Sequence, residues 1–136
     1  MRFDHVGVLV EDLEQAKAFA RDVLGLGAPE REFEAPEHGL AGAFFSLGQG
    51  ELELFTLDNA RDARLPEGAP ARIDHVAVRV DDLDAERARL GEGGVRFTGP
   101  ALPEEVAEPV ELRGVRHLWT DPETSGGYRI QLIERP

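Results

Sequence analysis

The sequence predicts an α+β fold made of two βαβββ modules. Residues 3–13, Phe-Asp-His-Val-Gly-Val-Leu-Val-Glu-Asp-Leu, return at residues 73–83 as Ile-Asp-His-Val-Ala-Val-Arg-Val-Asp-Asp-Leu, with seven of the eleven positions identical. A repeat at about half the chain length marks two similar structural units. Each copy alternates like a strand, then passes through an acidic pair into the first apolar residue of a helical stripe. Each half also closes on a matched strand-like run, Glu51–Phe55 in the first and Arg129–Ile133 in the second.

Residues 3–10 set Val6, Val8 and Val10 on one strand face and Phe3, His5, Gly7 and Leu9 on the other. Asp12 with Gln15 reads as a helix N-cap resembling a capping box. Leu13, Ala16, Ala20, Val23 and Leu24 then form one apolar helical stripe, ended by Gly25. A short strand near residues 30–34, a strand at 40–47, a turn at Gly48-Gln49-Gly50 and a strand at 51–57 complete module 1–57. Residues 58–72, polar and carrying Pro66, Gly68 and Pro70, read as a linker.

Module 73–136 repeats the order. A strand at 73–80 leads to a short helix over 82–90, stopped by Gly91. A strand at 93–98, an acidic loop at 100–109, a strand or hairpin arm at 111–120, a turn at 121–127 and a last strand at 128–134 follow. The economical packing joins the strands of both modules into one curved mixed sheet with the helices outside.

A chain of 136 residues can bury an ordinary core, and 41% hydrophobic with 31% charged residues describes a globular domain. No apolar run approaches the ~18 residues of a membrane span. The N-terminus enters a strand pattern at once, leaving no room for a signal peptide. The net charge of −12 argues against nucleic acid or an anionic membrane as partner. The absence of cysteine excludes disulfides and thiolate metal sites and fits a cytoplasmic location.

Alone, either His5 or His75 reads as a hydrogen-bonded core histidine. At matched positions of a repeat, the two suggest one shared site. Aligning the closing strands pairs Glu53 with Gln131, each flanked by apolar residues that alternation turns to the opposite face. Two imidazoles, a carboxylate and an amide oxygen suit a divalent metal: Zn, Ni, Co, Mn or Fe(II).

With these residues in hand, the chain resembles the vicinal-oxygen-chelate superfamily, which includes glyoxalase I, methylmalonyl-CoA epimerase, extradiol dioxygenases and metal-free bleomycin-resistance proteins. The resemblance rests on Asp4-His5-Val-Gly-Val, Ile73-Asp-His75-Val-Ala-Val, Glu51-Leu-Glu53-Leu and the segment from Asp121 to Glu134 around Gln131. It implies metal ligands at His5, Glu53, His75 and Gln131. Pro36-Glu37-His38-Gly39 is similar to the epimerases, which implies an acid/base role for Glu37. Metal-dependent isomerases of the family usually carry a glutamate, both ligand and base, where this chain has Gln131, so that catalytic position keeps a ligand oxygen but loses the base. The implied function is a metal-dependent lyase or isomerase of glyoxalase or acyl-CoA epimerase type. It would stabilise an enolate by bidentate chelation of a small-molecule substrate, in a homodimer by analogy. A non-catalytic antibiotic- or metabolite-binding protein and an Fe(II) ring-cleaving dioxygenase are the alternatives. His117, Trp119 and Phe44 read as pocket wall, and Arg113, Arg116 and Arg129 as a solvated face or an anion anchor.

Overall fold

The computed structural model describes residues 1–58, 65–100 and 104–136. The chain divides into two compact units, residues 5–74 and residues 1–4 together with 75–136; the strand at 2–10 lies mostly in the first and the strand at 71–79 mostly in the second.

In the first unit, β1 (Arg2–Val10) leads into α1 (Leu13–Ala18), then β2 (Arg31–Ala35), β3 (Leu40–Ser46) and β4 (Glu51–Leu57). The strand order is β2-β3-β4-β1, with β4 antiparallel to β3 and parallel to β1. The Asp12 carboxylate accepts the Gln15 amide proton at 3.0 Å and starts α1 as the sequence predicts. Val10, Ala20, Ala43, Phe45 and Leu54 form the core, with Val8, Leu13, Ala16, Leu26 and Leu52 against it. Alternation therefore commits the other strand face to His5, Gly7, Phe44 and Glu53.

The predicted helical stripe fails in its last turn. After Ala18 the helix widens into a π turn over Phe19–Val23, closed by the Leu24 amide on the Phe19 carbonyl at 3.0 Å. The extra residue in the turn rotates the helix face. Ala20 stays buried, but Val23 and Leu24 are 70% and 54% exposed, and Leu26 packs on the core instead.

In the second unit, β5 (Ala71–Arg79) precedes α2 (Leu83–Glu92), β6 (Phe97–Thr98), β7 (Val110–Leu112), β8 (Val115–Thr120) and β9 (Ile130–Glu134). β9 lies between β5, to which it is parallel, and β8, to which it is antiparallel, and β8 pairs β6 and β7. Val80, Leu83, Phe97, Leu118 and Leu132 make the core, joined by Val78, Leu90, Val95, Val106 and Ile130. His75, Ala77, Trp119 and Gln131 take the opposite strand face by the same alternation.

Several boundaries move from their predicted places. Gly91 does not stop α2, which continues to Glu92. The chain leaves the helix at Gly94, in the left-handed region at φ +90, where its amide bonds the Gly91 carbonyl. That exit consumes the start of the expected strand at 93–98 and leaves only Phe97 and Thr98 in it. The arm at 111–120 is a hairpin, turned by Arg113 and Gly114 at φ 54 and 75. Both central residues at positive φ match the right-handed twist of the flanking strands. β5 begins at Ala71, inside the stretch read as linker, and residues 59–64 of that stretch lie outside the described residues. Among the described residues, no helix is long and apolar enough to cross a membrane.

Candidate functional site

Strand register repeats between the units and places the predicted donors in the same way. In the first unit Gly7 of β1 stands opposite Glu53 of β4; in the second Ala77 of β5 stands opposite Gln131 of β9. Each histidine lies two residues before that contact point, on the same face. The register thus puts His5 on the same strand face as Glu53, and His75 on the same face as Gln131, each two residues along from the residue directly opposite.

In the first unit His5 Nε2 lies 3.5 Å from Glu53 Oε1, and both side chains are buried. Phe44, opposite Glu53 in the β3–β4 ladder, meets the His5 ring edge-on at 5.2 Å and 88°. The Arg31 guanidinium covers Phe44 at 3.8 Å and is held there by Glu51 at 2.6 Å. The edge-on Phe44 ring and the Glu53 carboxylate both restrict the imidazole.

In the second unit His75 and Gln131 are also buried. The Gln131 Nε2 amide group lies 2.9 Å from His117 Nδ1. Its other end, Oε1, is buried and accepts no hydrogen bond from the described residues. An orphaned buried acceptor costs about 1–3 kcal/mol unless something satisfies it. Trp119, opposite Gln131 in the β8–β9 ladder, stacks on His117 at 5.7 Å and 15°. Arg129 is buried rather than on a solvated face, and donates to the Gly99 carbonyl at 2.6 Å.

Glu37 is exposed, on the 3₁₀ turn Pro36–His38 between β2 and β3. Two features were not expected from the sequence. One is the bond from His117 to Gln131; its signal was parity, since His117 and Trp119 alternate onto one face of β8. The other is Asp4, a buried carboxylate paired with Arg79 and, at 3.4 Å, with Arg135. Its signal was the Asp-His dipeptide that both repeats carry.

Residues 4–120 match the family model of the glyoxalase/bleomycin resistance protein/dioxygenase superfamily. The chain belongs to that superfamily. Ethylmalonyl-CoA/methylmalonyl-CoA epimerase of Cereibacter sphaeroides is 33% identical over 136 residues, 96% of each chain. Mitochondrial methylmalonyl-CoA epimerase of Mus musculus is 31% identical over 134 residues, 96% of this chain and 71% of that one. The crystal structure of methylmalonyl-CoA epimerase from Mycobacterium tuberculosis matches with a TM-score of 0.80 and 27% identity, over 99% of this chain and 88% of that one. The α+β fold, βαβββ in the first unit and the same order with one extra hairpin strand, β7, in the second, is the glyoxalase-like fold of this superfamily member, and its relatives include acyl-CoA epimerases.

Proposed function

We propose that the protein is an acyl-CoA epimerase acting on methylmalonyl-CoA or a close alkylmalonyl-CoA, with a divalent metal ion as cofactor. The observation that carries this reading is the duplicated pairing of a buried histidine with a buried oxygen donor, in a chain 33% identical to an epimerase over nearly its whole length.

The residues fit a metal. Donor atoms about 2.1 Å from one ion lie about 3–3.5 Å from each other. The 3.5 Å between His5 Nε2 and Glu53 Oε1 is of that size. The unbonded Oε1 of Gln131 is the kind of buried acceptor that a cation satisfies. His5, Glu53, His75 and Gln131 would hold the ion, and a His, Glu, His set with an amide oxygen suits Zn, Ni, Co, Mn or Fe(II). When bound, the ion would supply Lewis-acid charge to the substrate's carbonyl oxygens.

The protein's own groups move the proton. Epimerisation removes a carbon-bound proton from one face and returns one to the other, which takes two acid/base groups. Glu37 is the first. Gln131 is not the second, because an amide accepts no proton near neutral pH. Of the matched pair on the closing strands, the carboxylate is Glu53, so Glu53 serves as both ligand and second base. Gln131 remains a ligand.

The test is exchange of the C2 proton of methylmalonyl-CoA in D₂O, followed by NMR with cobalt-loaded protein. The expected result is exchange well above the uncatalysed rate, lowered about 100-fold or more by Glu37→Gln with metal content unchanged. Stoichiometric metal without exchange on methylmalonyl-CoA or ethylmalonyl-CoA overturns the reading. Oxygen uptake with bound iron would put a ring-cleaving dioxygenase in its place, and a protein that takes up no metal, a binding protein.

A further inference from the structure

We infer that His117 is a positioning residue for the metal centre. It fixes which end of the Gln131 amide faces the donor set. The inference rests on the metal-dependent reading above.

The two ends of an amide differ in chemistry. Its oxygen can bind a cation and its NH₂ group cannot, yet the two have nearly the same shape. A buried Gln at a ligand position therefore needs a neighbour that tells them apart. His117 Nδ1 lies 2.9 Å from Gln131 Nε2. In the tautomer with the proton on Nε2, Nδ1 is a bare acceptor, and it draws in the NH₂ end. Oε1 is then turned away from the imidazole, buried and without a hydrogen bond from the described residues. The opposite tautomer would donate to Oε1 and present the NH₂ group instead, a repulsive arrangement toward a cation.

The duplication supplies an internal control. Phe44 and Trp119 are equivalent, since each stands opposite the closing-strand donor of its own unit. Two residues earlier, the place of His117 in β8 is held in β3 by Gly42. A Cβ at Gly42 would lie 2.6 Å from the Phe33 ring, so no imidazole fits there. The donor on that side is Glu53, whose two oxygens are equivalent and need no neighbour to choose between them. The unit with the asymmetric amide has an orienting imidazole, and the unit with the symmetric carboxylate has none. The stack of His117 on Trp119, 15° from parallel, holds the ring in the plane that this bond requires.

The experiment measures affinity for cobalt(II) alone, by calorimetry and by the visible absorption of the bound ion. His117→Phe keeps a ring against Trp119 and removes the nitrogen. It is expected to weaken cobalt binding about tenfold or more, the usual effect of losing a group that orients a ligand. His117→Asn can place a carbonyl oxygen near the position of Nδ1 and is expected to recover most of that affinity. In a Gln131→Glu background either carboxylate oxygen can face the ion, so His117→Phe should cost less than about twofold. Unchanged cobalt affinity in folded His117→Phe overturns the inference, as does an equal loss in both backgrounds. Should His117→Phe fail to fold, His117→Asn is compared with His117→Ala, and equal affinities for those two overturn it. If the wild-type chain takes up no cobalt, it is the metal-dependent reading that falls.

Discussion

His5 Nε2 faces Glu53 Oε1 across 3.5 Å, with both side chains buried on one face of parallel strands β1 and β4. If the proposed metal binds between them, its occupation stabilises the folded state by mass action. Free ion at 100 times its dissociation constant adds about 2.7 kcal/mol. For a chain of this size that is a rise of roughly 5–10 °C in melting temperature. Calorimetric melting with and without cobalt(II) or zinc(II) checks it. Glu53→Ala is expected to abolish the rise, and EDTA to reverse it in the wild type. A rise that persists unchanged in Glu53→Ala would place the bound ion elsewhere.

The second prediction exchanges the two closing-strand donors. Gly7 opposite Glu53 and Ala77 opposite Gln131 make the two places equivalent in register. Glu53→Gln alone removes the proposed second base and the one carboxylate of the proposed set. It is expected to lower C2 proton exchange about 100-fold or more. Adding Gln131→Glu restores one carboxylate and one amide in mirrored order, and exchange should return to within about tenfold of wild type. Isotope exchange on the single and double variants reads this directly. A double variant as slow as Glu53→Gln would show that the carboxylate cannot be moved between modules.

The candidate site was proposed from sequence because duplication turned single residues into pairs. His5 and His75 would each have been ordinary core histidines alone, and Glu53 an ordinary strand glutamate beside Glu51. Aligning the repeats equates Gly7 with Ala77 and Glu53 with Gln131, and the parallel registers, Gly7 opposite Glu53 and Ala77 opposite Gln131, agree with that equivalence. The parts that were not legible depend on tertiary packing. Nothing local in Phe19–Val23 announces a π turn, which swings Val23 outward although the 3.6-residue period places it inside. Gly91 looked like a helix stop, but a glycine without positive φ is only a weak helix residue; the left-handed residue is Gly94. The bond from His117 to Gln131 needs the β8–β9 register, which no repeat supplies, because its counterpart in the first unit is Gly42.

Gly42 gives the third prediction. A methyl group there would lie 2.6 Å from the Phe33 ring and 2.7 Å from the Leu54 backbone carbonyl. The ring could swing aside, but the carbonyl belongs to the β3–β4 ladder and cannot. Gly42→Ala is expected to destabilise the fold by about 1–3 kcal/mol, the usual cost of overpacking. The urea midpoint should fall with its slope unchanged. Because Phe33 contacts Phe44, which lies edge-on to His5, the variant should also weaken cobalt binding. Gly42→Ala combined with Phe33→Ala relieves the ring clash but not the carbonyl clash, so it should recover only part of the loss.

The last prediction concerns Glu134, which ends β9 and ties it to the start of α2. Its Oε2 accepts the Leu83 amide proton at 2.6 Å, and its Oε1 accepts from Arg116 at 3.2 Å. Asp82 already caps this helix by accepting from Ala85 at 2.9 Å, so Glu134 satisfies a second open amide of the first turn. It also places negative charge at the positive end of the helix. Leu83, fully buried in the core beneath α2, is the residue whose amide it holds. The Arg116 guanidinium, held above its ordinary value first by its hydrogen bond to Asp84 and also by Glu134, is ionised at neutral pH as any arginine is. Glu134→Ala should therefore cost about 1–2 kcal/mol of unfolding free energy, in the range of a lost cap. Glu134→Gln retains an acceptor for Leu83 and should cost less than half as much. Urea unfolding of both variants separates hydrogen bonding from charge: equal losses would mean that charge at the helix terminus, rather than the bond to Leu83, is what Glu134 contributes.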